Sequence, residues 1–387
     1  MSLISPGLVF HQTATWVLIG GLLVTLSACN NRTQKTNQTS DNTSEEETIQ
    51  EELILENATL NQVDSDGKKL WQLDVKRVVY SQNKKNAKLE NVKGEFYEDG
   101  NIALKIEAKQ GEIINNGEQI NLQGDVVGTD PRNNTVLRSE TIEWSPQENL
   151  IVIPKSLQAN HPRFDASANQ GKYDTAQQKL TLIGKVKGVA TDPPLRLRGE
   201  QLNWLIPKEI VQSNKPLQVD RYNPETETIT DRVSANSGQA NLAEKTVSLK
   251  DKVEFKSSDP SLQVASNAIT WQVEEKFITS SNPLKVVQTE DQMTLTGNQG
   301  NIDLDTEIAQ FQGGVKGVSQ ANQATLFANR LRWNLSNQQM QAEGNVIYQQ
   351  ENPPLTSKGE KASGILQEEN IVVKGTQQDQ VTTEIVP

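Results

Sequence analysis

Ala168-Asn169-Gln170-Gly171, Leu182-Ile183-Gly184-Lys185-Val186, Leu202-Asn203-Trp204 and Pro216-Leu217 form one block whose outline recurs along the chain. Upstream it reads Ala108-Lys109-Gln110-Gly111, Leu122-Gln123-Gly124-Asp125-Val126, Ile142-Glu143-Trp144 and Ser156-Leu157. Downstream it returns as Ala235-Asn236-Ser237-Gly238, Leu249-Lys250-Asp251-Lys252-Val253, Ile269-Thr270-Trp271 and Pro283-Leu284. A fourth copy has Gly297-Asn298-Gln299-Gly300, Phe311-Gln312-Gly313-Gly314-Val315, Leu331-Arg332-Trp333 and Asn345-Val346. In every copy 13 residues lead from the marker glycine to the Gly/Asp column and 20 more to the tryptophan. Length differences fall between blocks, where loops absorb them. Self-similarity at a fixed period is the mark of stacked repeats.

Within a block the period is two. Ile120, Leu122 and Val126 alternate with Asn121, Gln123 and Asp125, and Phe311 and Val315 alternate with Gln310, Gln312 and Gly314. That is the pattern of strands with one buried and one wet face. The glycine between the apolar positions suits a bulge or a bend. Gly184-Lys185-Val186, Pro193-Pro194-Leu195 and Gly199-Glu200 return as Gly344-Asn345-Val346, Pro353-Pro354-Leu355 and Gly359-Glu360, so the elementary unit is near half the block. The expectation is an all-β chain, an elongated stack of antiparallel strand units.

Four apolar columns then line up: Leu122, Leu182, Leu249 and Phe311; Val126, Val186, Val253 and Val315; Trp144, Trp204, Trp271 and Trp333; and Leu157, Leu217 and Leu284, with Val346 beyond. Each such side chain kept from water contributes roughly 1.5–3 kcal/mol. These columns serve equally as a plain core or as the floor of an apolar groove.

The first 28 residues contain no Asp, Glu, Lys or Arg, and Thr15 to Leu26 is a short apolar run. It has the length of a signal-peptide core and falls short of a spanning helix. It ends in Leu26-Ser27-Ala28-Cys29, which resembles a bacterial lipobox, and Cys29 is the sole cysteine. Residues 1–28 therefore read as a signal peptide and Cys29 as a lipid attachment site. Residues 29–52 are nearly devoid of apolar side chains and read as a tether. Residues 53–375 read as one continuous β-repeat domain, and 376–387 as a polar C-terminal tail.

Hydrophobic residues make up 34% of the 387-residue chain and the mean hydropathy is −0.60, as expected of sheets wet on one side. A net charge of −11 argues against nucleic acid, since no basic face would neutralise phosphates. Past the signal only His161 could offer an imidazole, and no nucleophile elbow, phosphate loop or cysteine pair is present. Asp303 and Asp305 read as solvent-facing, and Gly128-Thr129-Asp130-Pro131 as a turn. No catalytic residue, metal or cofactor is expected. A structural or adhesive cell-surface β-solenoid is the alternative, and a β-helix polysaccharide lyase a more remote one.

At the start of the ordered body stand Val63-Asp64-Ser65-Asp66-Gly67-Lys68-Lys69-Leu70-Trp71-Gln72-Leu73-Asp74-Val75, then Tyr80, Leu89-Glu90-Asn91-Val92 and Phe96-Tyr97-Glu98-Asp99-Gly100. Followed by Ala108…Gly111 and Leu122…Val126, this order resembles the LptC family over about residues 53–157. The repeats over 158–375 are similar to the wider LptA/OstA-like group. The resemblance implies an open β-jellyroll or β-taco, two strand walls around an apolar slot. It also implies a periplasmic protein at the inner membrane that receives lipopolysaccharide from the LptBFG-like ABC transporter and passes it to an LptA-like bridge protein. Two departures stand out: a lipobox where members carry a membrane helix, and about twice their periplasmic length. Sheet edges would meet these partners, the N-terminal one near Leu53–Leu60 and the C-terminal one at Ile371, Val372 and Val373.

Overall fold

The computed structural model describes residues 53–290, 292–375 and 380–385. The chain divides into two units, Met1–Gln50 and Glu51–Pro387, of which the second holds the described strands. It is built almost wholly of strand, 71% by residue, in one antiparallel 28-stranded sheet. Helical structure among the described residues amounts to three short 3₁₀ turns, such as Pro146–Glu148.

Runs of two or more long strands of 10 to 14 residues are separated by rungs made of two short strands laid end to end. The strand Thr135–Ser145 shows the principle. Its first half pairs with Leu157–Asn160 and its second half with Leu150–Ile153. Those two pair in turn with Phe164–Ala168 and Gln170–Asp174, which rejoin on the long strand Lys179–Ala190. Every rung thus has an upper and a lower half, and the sheet is folded lengthwise into two walls. About twenty such rungs at ~4.8 Å give a stack on the order of 100 Å.

The fold line runs along the Gly/Asp column. Register shifts occur at Gln123/Val126, Ile183/Val186, Lys250/Val253, Gln312/Val315 and Glu343/Val346. The two residues inside each shift have positive φ: Gly124 and Asp125, Gly184 and Lys185, Asp251 and Lys252, Gly313 and Gly314, Gly344 and Asn345. A pair of left-handed residues turns the strand by inserting an unpaired step, which is the geometry of a bulge. On the neighbouring rung the chain breaks at Asn169, Asn236 and Asn298. Their N–H groups donate to the carbonyls of Gly184, Asp251 and Gly313 at 2.9 Å, so the bend is hydrogen-bonded across the crease.

The marker glycines have a packing explanation. Gly111, Gly171, Gly238 and Gly300 stand opposite Leu122, Leu182, Leu249 and Phe311 in the ladder. A Cβ on Gly238 would lie 2.5 Å from Leu249 Cδ2, and one on Gly111 3.0 Å from Leu122 Cδ2. At Gly171 and Gly300 the nearest side chains are Leu157 and Leu284 of the facing wall, so in all four repeats a leucine occupies the space a Cβ would need.

Candidate functional site

The wall halves carrying Trp144, Trp204, Trp271 and Trp333 form what is called here the tryptophan wall. Those carrying Val126, Val186, Val253 and Val315 form the valine wall. Together with Leu122, Leu157, Leu182, Leu217, Leu249, Leu284 and Phe311, these residues point between the walls, and none is more than 5% exposed. They belong to a single hydrophobic cluster that runs from Trp71 to Leu366. The four columns read from the repeat therefore share one interior. In this conformation that interior is filled by the chain's own side chains.

Aromatic pairs bridge the two walls. Phe96 stacks on Trp144 with ring centroids 3.5 Å apart and planes 11° from parallel. Phe164 meets Trp204 edge to face at 5.0 Å, and Phe255 meets Trp271 at 5.3 Å. The phenylalanines come from the valine-wall side. They were not singled out as slot residues in the sequence, because each lies at a different spacing from its tryptophan and no repeat column marks them.

Opposite the crease the two rims, formed by the turns at the outer ends of the strands, are joined by polar bonds. Arg132 Nη2 donates to the Thr175 carbonyl at 2.8 Å, and Asn133 Nδ2 to Gln178 Oε1 at 2.8 Å. Further along, Lys245 Nζ lies 3.0 Å from Asp192 Oδ1, Arg221 Nη1 donates to Val273 O at 3.3 Å, and Asn322 Nδ2 to Leu366 O at 2.9 Å. The strongest staple is centred on Asp130, which is fully buried. It accepts from Arg132 Nε at 3.0 Å, Arg132 Nη2 at 2.6 Å and the Tyr173 hydroxyl at 2.5 Å. Burial, with Asp130 beside it, pushes the Tyr173 phenol well above its ordinary range. The hydrogen bond to Asp130 likewise raises Arg132.

Asp130 corrects one expectation from the sequence. Gly128, Thr129 and Asp130 are the last residues of the strand Gln119–Asp130, and the turn begins only at Pro131. The aspartate stays in the strand because its carboxylate is held from the other rim. His161 is half-buried rather than freely exposed, its ring edge-on to Trp204 at 5.2 Å, and burial lowers its pKa. Asp303 ends a strand and caps the following turn, its Oδ1 accepting from the N–H groups of Asp305 and Thr306.

The sheet ends are strand edges. Among the described residues Ile54–Val63 pairs on one side only, with Lys69–Tyr80. At the other end Asn370–Lys374 pairs with Pro354–Ile365 and presents its second edge without a ladder partner among the described residues. Ile371 and Val373 pack on the core, and Val372 is 51% exposed. The segment read as a polar tail adds one more short strand, Thr382–Ile385, beside Leu355–Lys358. Cys29 lies outside the described residues, as do the signal and tether readings. Among the described residues no helix is long and apolar enough to cross a membrane, and no group of three or more His, Cys, Asp and Glu could hold a metal ion.

No curated protein matches the chain. A family model described as lipopolysaccharide-assembly, LptC-related, matches residues 18–192 and 215–320, which covers most of the folded sheet with its crease, its tryptophan wall and the Asp130 staple. The chain belongs to the LptC-related lipopolysaccharide-assembly family.

Proposed function

We propose that this chain carries lipopolysaccharide by taking its acyl chains between the two walls. It would receive the lipid from an inner-membrane ABC transporter and hand it to an LptA-like bridge protein. Membership of the family supports a part in lipopolysaccharide transport and an association with the inner membrane on its periplasmic side. The observation that carries the finer reading is an apolar interior continuous from rung to rung, closed along one side by covalently continuous strands and along the other by side chains alone, polar bonds between the rims over buried turn residues such as Leu242, Val273 and Leu366.

The energetics favour that route. Exposed ion pairs contribute about 0–1 kcal/mol each and ordinary hydrogen bonds about 1 kcal/mol. Parting the rims breaks a few such contacts and leaves the backbone ladders intact. The larger cost is the apolar surface uncovered, about 25 cal/mol per Å². An acyl chain entering the slot re-covers that surface, so the open form is stabilised by the cargo itself.

Photocrosslinking tests the reading directly. A photoreactive residue at Leu182 or Trp271 should capture lipopolysaccharide in cells, and one at an outward position such as Lys256 should not. Capture at Lys256 alone would refute an interior path. Acylation at Cys29 is part of the same proposal: Cys29→Ala should leave a larger, unacylated precursor, and mass spectrometry of the native N-terminus would decide it.

A further inference from the structure

The outer face of the tryptophan wall carries a row of uncharged polar side chains set directly opposite one another in the ladder. Gln212 faces Gln239, which faces Ser248, then Thr270, Thr279 and Asn301. They alternate with buried residues such as Val211, Val247 and Trp271, so they point away from the slot. The wall is concave here, and the hollow holds about 690 Å³. Of the twenty residues that line it, Lys250 is the single ionisable one.

That composition is particular to this stretch of the wall, since hollows nearer its two ends are lined by Lys88, Glu90 and Glu112 and by Arg330, Glu343 and Lys361. The valine wall has a hollow of the same volume, about 690 Å³, and its lining includes Lys185, Lys187, Arg198, Glu200, Lys252 and Glu254. Charged residues make up 22% of the chain, and the six-residue row contains none. Amides and hydroxyls both donate and accept, as sugar hydroxyls do. Strand spacing repeats these groups every ~4.8 Å, close to the advance of one hexopyranose along an extended chain. Half-buried Phe277 and Ile210, on the same face two residues from Thr279 and Gln212, flank the row with apolar surface for the C–H faces of the rings.

We propose that this hollow binds a neutral glycan chain laid across the strands, at a site separate from the acyl slot. An anionic polymer would meet one cation on a chain of net charge −11, so charge argues against it. A protein partner would bring an apolar interface centre, whereas here the centre is the polar row and the apolar surface of Phe277 and Ile210 lies only beside it.

Calorimetric titration of the full chain with cellohexaose, maltohexaose and a hexagalacturonate tests the proposal. At least one neutral hexamer should bind saturably, and the charged one should not. Thr270→Asp should weaken that binding by about tenfold or more, with circular dichroism and melting unchanged. Gln239→Ala, at a second point in the row, should weaken it in the same direction. Glu254→Gln, in the other hollow, should leave it as it is. No saturation with either neutral hexamer at millimolar concentration overturns the proposal. So does loss of binding in Glu254→Gln with none in Thr270→Asp and Gln239→Ala.

Discussion

Tyr173 reaches across from the tryptophan wall and donates its hydroxyl to the buried carboxylate of Asp130 at the rim of the valine wall, 2.5 Å away. The two residues are 43 positions apart in sequence, and their bond joins the rims directly. Burial and Asp130 hold the Tyr173 phenol above its usual 10.0. The folded chain therefore keeps a proton that the unfolded chain releases near pH 10. Stability from this group is complete below pH 10 and is lost as the pH rises from there toward the folded value. Denaturant melts should show an alkaline decline that is flattened in Tyr173→Phe. At pH 7 that variant should lose about 1 kcal/mol, since Asp130 keeps Arg132. An unchanged alkaline limb would show that the staple does not hold the rims.

The crease makes a prediction of opposite sign at two equivalent positions. Gly184 has φ +78°, and a Cβ there would stand 3.0 Å from Asn169 Nδ2. Gly184→Ala should cost about 1–2 kcal/mol through the left-handed backbone. In the next repeat the same step is made by Asp251 and Lys252 at φ 64° and 55°. Asp251→Gly removes that strain and should stabilise by about 0.5–1 kcal/mol, net of the added freedom of the unfolded chain. Urea melts of the two variants measure both signs at once.

Within the slot, Leu182 and Val253 are at most 1% exposed. Leu182→Arg or Val253→Arg places an unpaired cation among apolar columns, at a cost of about 3–5 kcal/mol. Lipopolysaccharide capture should fall with it. Leu182→Ala separates the two effects. It should cost about 2–5 kcal/mol as a cavity without a buried charge and retain capture. Loss of capture in Leu182→Ala at a temperature where the protein remains folded would show that the slot needs the leucine's own volume, and not merely an apolar position, to hold the lipid.

The repeat in the sequence reported the strands and the crease well, because both depend on backbone geometry that recurs at fixed spacing, while the two walls were implied by the family resemblance. Gly124, Gly184 and Gly313 each sit in left-handed backbone, which is a local reason for glycine, and local reasons leave local signatures. The rims were not legible. Asp130 with Tyr173, Arg221 with Val273 and Asn322 with Leu366 are brought together by how one turn stands over another several rungs away. Each uses a different chemistry, so no column marks it. The uncharged row on the tryptophan wall was hidden for a related reason. Gln212, Gln239 and Ser248 are ordinary strand residues until the register sets them side by side.

The last prediction concerns the far edge. Asn370–Lys374 offers its free N–H and C=O groups as a template for another strand, the usual route by which sheets add a partner. Val372 stands exposed on it, and Ile371 and Val373 anchor it to the core. Ending the chain after Asn370 removes this edge together with Thr382–Ile385 and shifts the free edge to Pro354–Ile365. The new edge is interrupted by Gly359 and by Gly364, whose φ is 149°, so it is a poorer template. The truncated protein should keep its anchoring and most of its stability, because the remaining rungs and their crease are untouched. Its pulldown of an LptA-like protein should fall by about tenfold or more, as expected for the loss of several main-chain hydrogen bonds. Full binding by the truncated chain would move the handover to the other edge, Ile54–Val63. A matching truncation before Lys69 would then have to abolish it.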